Sequence, residues 1–276
     1  MNQVMEPHTE KRAFFDATPY HAVSLSGGKD STCMLLQMIE RNMPIDAVLF
    51  ADTGMEFPEM YEHIDGLDKH LFRERGIHIT TLRHPKGFER LMFEEPKQKI
   101  SSVENRKRLG VALSGNGWPG IRVRWCTGQL KTHLISKEVN RLKAEKNALH
   151  YVGITADEAW RCGSEQYPLV TWGITEADAL RYCYERGFHW SNLYEIYHRA
   201  SCWCCPFQRI GELRNLRHHH PELWKQLLKL DHRAIEQFGS NPLGQFKKDW
   251  TVAQLEERFA REDLLSGGDG NGCISC

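Results

Sequence analysis

At 276 residues the chain can hold one large domain, or one domain with a small appendage, around a sizeable core. Its 36 basic residues balance 36 acidic ones, so there is no global basic field to argue for nucleic acid, and only local patches remain. No stretch approaches ~18 uninterrupted apolar residues and the N-terminus carries no apolar signal region, so the expectation is a cytoplasmic protein with no membrane partner. Nine cysteines in a reducing compartment read as metal-binding, catalytic or buried rather than as a disulfide framework.

Residues 1–20 read as a lead-in segment with some helical character. The run His21-Ala22-Val23-Ser24-Leu25 predicts a first strand, and Cys33-Met34-Leu35-Leu36-Gln37-Met38-Ile39 has helical spacing. Between them lies Ser26-Gly27-Gly28-Lys29-Asp30-Ser31-Thr32. Two glycines allow close approach of the backbone to a ligand. The amides of a turn opening a helix face an anion, with Ser26, Ser31 and Thr32 as hydroxyl donors and Lys29 as a point charge. Phosphate binding is the expected chemistry, although the Gly-x4-Gly-Lys-Ser/Thr spacing of a Walker loop is absent.

Ile45–Ala51 reads as a strand buried on both faces of a parallel sheet. It ends in Asp52-Thr53-Gly54-Met55-Glu56-Phe57-Pro58-Glu59. Ligands of open α/β sheets bind outside the carboxyl ends of strands, which sets Asp52 and Thr53 beside the first loop. A helix over 59–75, stopped by Gly76, and a third strand over 77–82 follow. From Arg83 to Arg124 the pattern weakens to one short helix around 88–93 and a loop at 114–120. The basic residues Lys97, Lys99, Arg106, Lys107, Arg108, Arg122 and Arg124 there suit either a solvated loop or a lid over a polyanion.

In Arg124-Trp125-Cys126-Thr127-Gly128-Gln129-Leu130-Lys131, Thr127 is placed as the cap of a helix running to about Lys146. Cys126 then stands at a helix N-terminus, where the dipole favours a thiolate. A fourth strand over 150–154 leads to Thr155–Arg161, and a capped helix from Thr175 to Gly187 holds Cys183 in the core. Cys202 and Cys205 form a CxxC pair within Ser201-Cys202-Trp203-Cys204-Cys205-Pro206, a spacing compatible with zinc or an iron–sulfur cluster. Residues 208–263 read as an all-helical appendage, in which His218, His219 and His220 are solvated or capping. Residues 264–276 are a Gly/Ser/Asp-rich tail, which leaves 1–207 as the α/β domain.

The stretch Ser26–Ser31 resembles the PP-loop, Ser-Gly-Gly-x-Asp-Ser, of the ATP pyrophosphatase superfamily. Asp52-Thr53-Gly54 with Phe57-Pro58-Glu59 is similar to a stretch of its reductase branch. Gly153 through Arg161 resembles that branch's Gly-Ile/Leu-Arg-x-Asp-Glu-Ser-x-x-Arg pattern, with Thr155 where arginine is common. Across roughly residues 20–210 the chain resembles the phosphoadenosine phosphosulfate reductase family. That implies an α/β fold with a doubly wound, mostly parallel sheet. It implies an adenine nucleotide (PAPS, APS or ATP, the last with Mg) held by Ser24, Ser26, Gly27, Gly28, Lys29, Asp30, Ser31, Asp52, Thr53, Gly54, Gly153 and Asp157. Arg161 and Lys131 would hold a sulfonate.

Adenylyl-sulfate reductases carry a Cys-Cys pair and a CxxC pair around a [4Fe–4S] cluster. Here Cys126 is followed 76 positions later by Cys202, then Cys205, while Thr127 replaces the second cysteine of the first pair. The resemblance therefore implies a cluster on Cys126, Cys202 and Cys205, with Cys204 or Cys162 as a fourth ligand, or an open site as in some tRNA thiolases. The Arg-Trp-Cys-Thr-x-x-Leu-Lys run also looks like the sulfur-handling enzyme of DNA phosphorothioation. Reductases of this branch attack with a cysteine on a C-terminal tail, which makes Cys273 the candidate nucleophile and Cys276 a resolving thiol. Two activities follow: a sulfonucleotide reductase served by a thioredoxin-like reductant, or an ATP-dependent sulfurtransferase whose acceptor is a nucleic acid. A homodimer stays open under either.

Overall fold

The computed structural model describes residues 18–96, 100–121, 123–200 and 202–267. Most of the lead-in segment, together with Lys97, Lys99, Arg122, Cys273 and Cys276, lies outside them. Four parallel strands form one sheet: β1 His21–Leu25, β2 Ala47–Asp52, β3 Ile79–Arg83 and β4 Leu149–Val152, in the spatial order β3-β2-β1-β4. The chain steps outward from β1 to β3 and then returns to the other side of β1. The order reverses between β1 and β4, and beyond the carboxyl ends of strands at such a reversal is the place where open α/β sheets take ligands.

Alternation along the strands feeds two apolar layers. Val23, Leu25, Val48 and Phe50 pack with helices α1 Lys29–Glu40 and α2 Pro58–Arg75 on one face. Ala22 and Leu49 meet Val139 and Leu142 of α5 His133–Lys146 on the other. The sheet is thus covered on both sides, as near-continuous apolar strands require. α2 stops at Gly76, whose φ of 69° is the left-handed conformation glycine adopts without steric cost.

The stretch 83–124 is more structured than its sequence predicts. Besides α3 Gly87–Phe93 it contains α4 Ile100–Leu109. Arg106 is neither solvated nor part of a lid. It is buried and its guanidinium donates to the carbonyls of Ala112, Ser114 and Gly115, which closes the following turn. Charge alone does not distinguish such a turn-closing arginine from a ligand-binding one.

Thr127 does not cap a helix. Helical structure already begins at Trp125, and Thr127–Thr132 form a π-helical turn that runs directly into α5. Cys126 keeps its place in the first turn. After β4 come a 3-10 turn at Ala156–Arg161, α6 Pro168–Thr171, α7 Glu176–Glu185 with a full capping box at Thr175 and Asp178, and α8 Leu193–Ile196.

Three helices complete the described chain: α9 Ile210–His219, α10 Pro221–Phe238 and α11 Val252–Gly267. α11 continues past Leu264, where the sequence suggests a tail. The apolar stripe of α10 joins the same core as the sheet, with the Phe93 and Phe238 rings 6.4 Å apart and Trp118 edge-on to Phe246. His220 accepts or donates to Tyr197 at 2.8 Å and pairs with Glu59 at 2.9 Å, at the junction of α9 and α10. Among the described residues, no helix is long and apolar enough to cross a membrane.

Candidate functional site

The turn after β1 is tied together locally. Ser26 N–H donates to Ser31 Oγ at 3.1 Å, the two serine hydroxyls meet at 2.9 Å, and Gly28 N–H reaches Ser26 Oγ at 3.3 Å. Gly27 has φ 78°, a conformation that calls for glycine, and a Cβ there would stand 2.5 Å from Met60 Sδ. Gly153 packs on the turn from the β4 side, because a Cβ on it would lie 2.7 Å from Ser31 Cα. The end of β4 therefore presses directly on the first turn of α1.

Two aromatic side chains reach the same turn: Trp190 Nε1–H donates to Gly27 O at 2.7 Å, and Tyr194 OH accepts from Lys29 N–H at 2.8 Å. The backbone N–H groups of Gly27, Asp30 and Ser31 have no acceptor among the described residues. These amides at the start of a helix are what an anion site requires. Thr32 is not available to a ligand, contrary to expectation: it is fully buried, with its hydroxyl on His63 Nε2 at 3.0 Å and near Gly27 O. Lys29 Nζ is paired with Glu176 at 2.8 Å and with Asp30 at 3.3 Å. Burial raises the Asp30 carboxyl above its ordinary value although Lys29 opposes the shift. Ser24 Oγ meets His150 Nε2 at 2.6 Å.

Asp52, at the end of β2, is also engaged. Its carboxylate accepts from Arg83 Nε at 2.7 Å, Tyr61 OH at 2.8 Å and Gly54 N–H at 2.8 Å. Asp157 accepts from Glu176 N–H, tying the turn after β4 to α7. Arg161 is ion-paired with Glu158 within the same turn.

The cysteines gather at the end of the neighbouring strand. Trp203 N–H donates to Met55 O at 3.1 Å, which fastens the CxxC segment to the loop after β2. Cys202 Sγ lies 3.7 Å from Thr53 Oγ1 and 3.5 Å from Glu56 Oε1. Thr53 also donates to Glu56 Oε1 at 3.0 Å, and Lys131 Nζ reaches the same oxygen at 3.0 Å. One buried carboxylate oxygen thus gathers a thiol, a hydroxyl and an ammonium. Glu56 was missed in the sequence. Its only signal was its place inside the Asp-Thr-Gly to Phe-Pro-Glu stretch, since its partners lie far along the chain.

Burial pushes the Cys202 thiol up to about 12, reinforced by Glu56 and offset in part by Lys131. Burial raises Cys204 well above the ordinary thiol range and raises Cys205 as well. Cys126 faces the group, acting on Cys205 and Lys131 as a charge. Burial opposes the Lys131 ammonium, but Cys202 and Glu56 outweigh it and hold its pKa above the ordinary lysine value. Cys126, Cys202, Cys204 and Cys205 are free thiols. Arg124, stacked 4.5 Å over Phe207, borders them.

Among the described residues no three His, Cys, Asp or Glu side chains converge on a point where one metal ion would sit. Zinc needs its ligands about 2.3 Å from a single centre. Thiolates on an iron–sulfur cluster bind different irons and need not converge. Soft thiols of this kind are ligands for zinc and for iron–sulfur clusters alike.

Comparison with known proteins gives the family. The phosphoadenosine phosphosulfate reductase domain profile matches residues 20–217. An uncharacterized protein of Methanocaldococcus jannaschii is 25% identical over 222 residues, covering 74% of this chain and 40% of that protein. An uncharacterized 37.8 kDa protein of Escherichia phage 186 is 24% identical over 254 residues, covering 77% and 74%. The chain thus spans less than half the length of the archaeal relative. Among solved structures, a U34-tRNA thiolase of Methanococcus maripaludis with its [4Fe–4S] cluster aligns over 82% of this chain and 76% of its own, at 16% identity and a TM-score of 0.39.

Proposed function

Because the chain belongs to the phosphoadenosine phosphosulfate reductase domain family, we propose that it is an adenine-nucleotide enzyme of sulfur chemistry, and in the first instance a sulfonucleotide reductase. The observation that carries this reading is the adjacency of two sites. An amide-lined phosphate loop ends β1, and the Cys202–Glu56–Lys131 group ends β2, the strand paired with it.

In this reading Ser26, Gly27, Gly28, Lys29, Asp30 and Ser31 bind the phosphate, Gly153 packs on their turn, and Asp52, Thr53, Gly54 and Asp157 frame the nucleoside. Lys131 and Arg161 orient the sulfonate. A thiolate, assigned to Cys273, attacks sulfur. The sulfur–oxygen bond breaks, the adenosine phosphate leaves with the bonding pair, and the enzyme retains a thiosulfonate. A thioredoxin-like dithiol then releases sulfite and is itself oxidised to a disulfide. Cys126, Cys202, Cys205 and Cys204 would hold a [4Fe–4S] cluster, which supplies a redox-active charge beside the sulfonate. The chain's own contribution is to hold Lys131 on the Glu56 carboxylate beside the Cys202 thiol.

A second reading is supported by a specific observation. Both cations assigned to the sulfonate are matched by carboxylates: Arg161 by Glu158 and Lys131 by Glu56. ATP, accompanied by Mg, makes less demand on free cations. The chain would then cleave ATP between the α and β phosphates and adenylate a nucleic-acid acceptor for sulfur transfer. Anaerobically purified protein given a sulfonucleotide and reduced thioredoxin should release sulfite. Pyrophosphate formed from ATP only with an acceptor, and no sulfite, replaces the first reading by the second. Zinc without iron or sulfide in that preparation removes the cluster from both.

A further inference from the structure

Tyr194 is absent from every motif in the sequence, yet its hydroxyl enters the phosphate loop. The phenol oxygen lies 2.8 Å from Lys29 N, and a Cβ on Gly28 would stand 3.3 Å from it. As the acceptor of the Lys29 amide, the oxygen keeps its own proton to donate. The loop offers that proton no partner. Gly27 O is taken by Trp190 Nε1–H, Gly28 O by Thr32 N–H and Ser31 Oγ–H, and Lys29 O is approached by Cys183 Sγ. The Asp30 carboxylate acts on the phenol as a charge but makes no hydrogen bond with it.

Among the described residues this hydroxyl has no acceptor, and it lies on the Lys29 amide of the turn whose Gly27, Asp30 and Ser31 amides are open, which marks the place of an anionic oxygen. The donated Lys29 N–H polarises the phenol and strengthens it as a donor. Burial raises the Tyr194 pKa, so the proton stays on the oxygen across the working pH range.

We propose that Tyr194 is a phosphate-binding residue, its O–H donating to a non-bridging phosphate oxygen of the nucleotide in the loop. This rests on the nucleotide reading above and holds for either reaction. The ring is fixed for the task by an edge-on contact with Trp190, centroids 4.9 Å apart, the same indole that holds Gly27 O. Because α8 leads directly toward Cys202, the residue also joins the phosphate loop to the chain segment that carries the thiols.

The test is calorimetric titration of the full chain with ATP, adenosine 5′-phosphosulfate and adenosine. Tyr194→Phe should weaken whichever phosphorylated ligand binds by about tenfold, the scale of one hydrogen bond to a charged acceptor. Adenosine, which has no phosphate, should keep its wild-type affinity. Unchanged affinity for the phosphorylated ligand overturns the assignment. So does an equal loss for adenosine, because that is the signature of a merely structural role. If Tyr194→Phe fails to fold, 3-fluorotyrosine at position 194 keeps the shape and offers a more acidic hydroxyl. It should tighten the phosphorylated ligand alone, and no tightening overturns the proposal. Wild-type protein that binds neither phosphorylated ligand overturns the nucleotide reading, and Tyr194's role falls with it. The two failures are therefore told apart.

Discussion

The phosphate loop and the cysteine group end adjacent strands, but they are held by different physics. The loop is fixed mostly by neutral hydrogen bonds, and its own ties span few residues: Ser26 to Ser31 and Gly28 to Ser26. Its donors are left over for a ligand. The cysteine group is fixed by charge and by contacts across the chain, with Cys202 meeting Glu56 and Thr53 from 146 and 149 positions away. Its charges are spent on each other. A preorganised, open set of donors suits binding, whereas a closed set of opposed charges in a buried site suits chemistry that begins when one partner is displaced.

The sharpest way to break that contrast is to remove one thiol. Cys202→Ser should lower sulfur transfer at least roughly 100-fold while nucleotide affinity stays within about twofold. Parallel assays of turnover and ATP titration report this, and a matching loss of affinity would mean that the two regions are one site rather than two. Next comes the loop. Gly153→Ala drives a methyl to 2.7 Å from Ser31 Cα and 2.9 Å from Ser31 N, backbone atoms that cannot swing aside. Overpacking of this kind costs about 1–3 kcal/mol, so thermal stability and nucleotide affinity should fall together. A silent Gly153→Ala would show that β4 does not press on α1 as described. Glu56→Gln should cost less, about 1–2 kcal/mol, because the half-exposed Lys131 can turn to water. Denaturant titration measures it. Its larger consequence should be chemical, with Lys131 released toward an incoming sulfonate and sulfite release raised if the first reaction is correct.

The same contrast explains what was legible in the sequence. Strand, glycine turn and helix follow one another within residues 21–40, so local pattern sufficed to place Ser26, Gly27, Gly28 and Ser31. The parallel sheet was legible because strands alternate with helices along the chain and β2 is apolar on both faces. What the sequence did not disclose is every partnership formed through space. Thr32 looked like a ligand donor but faces His63, 31 positions on. Arg106 looked like a surface charge but closes a turn. Glu56, Tyr194 and Trp190 carry no spacing signal, because each acts on a residue brought near only by the crossover of the chain. The π-helical turn at Thr127–Thr132 likewise has no periodicity that distinguishes it from an ordinary helix start.

The smallest predicted effect concerns how the loop is supported from beneath. His63 stacks on Trp190 at 4.4 Å and meets the Thr32 hydroxyl, so it holds two of the residues behind the loop. Burial lowers its pKa from 6.5 to about 3, and the ring is neutral in the fold. The unfolded chain binds this proton below about pH 6.5, whereas the folded chain does not until far lower. The contribution of His63 is therefore fully present above pH 6.5 and is lost as pH falls toward 3. Between pH 7 and 5.5 the linkage amounts to about 1 kcal/mol. The melting temperature of the wild type should drop over that interval, and His63→Gln, which keeps a hydrogen-bonding group at Thr32, should flatten the drop. In the cysteine group the Cys202 and Lys131 pKa values are both raised, away from that window. Nucleotide affinity should instead stay level over that interval, because in the folded chain His63 is neutral until far lower pH and keeps its contacts with Trp190 and Thr32. A melting temperature that is level from pH 7 to 5.5, or one that falls equally in His63→Gln, would assign the acid sensitivity to other groups and leave the loop independent of its buried histidine.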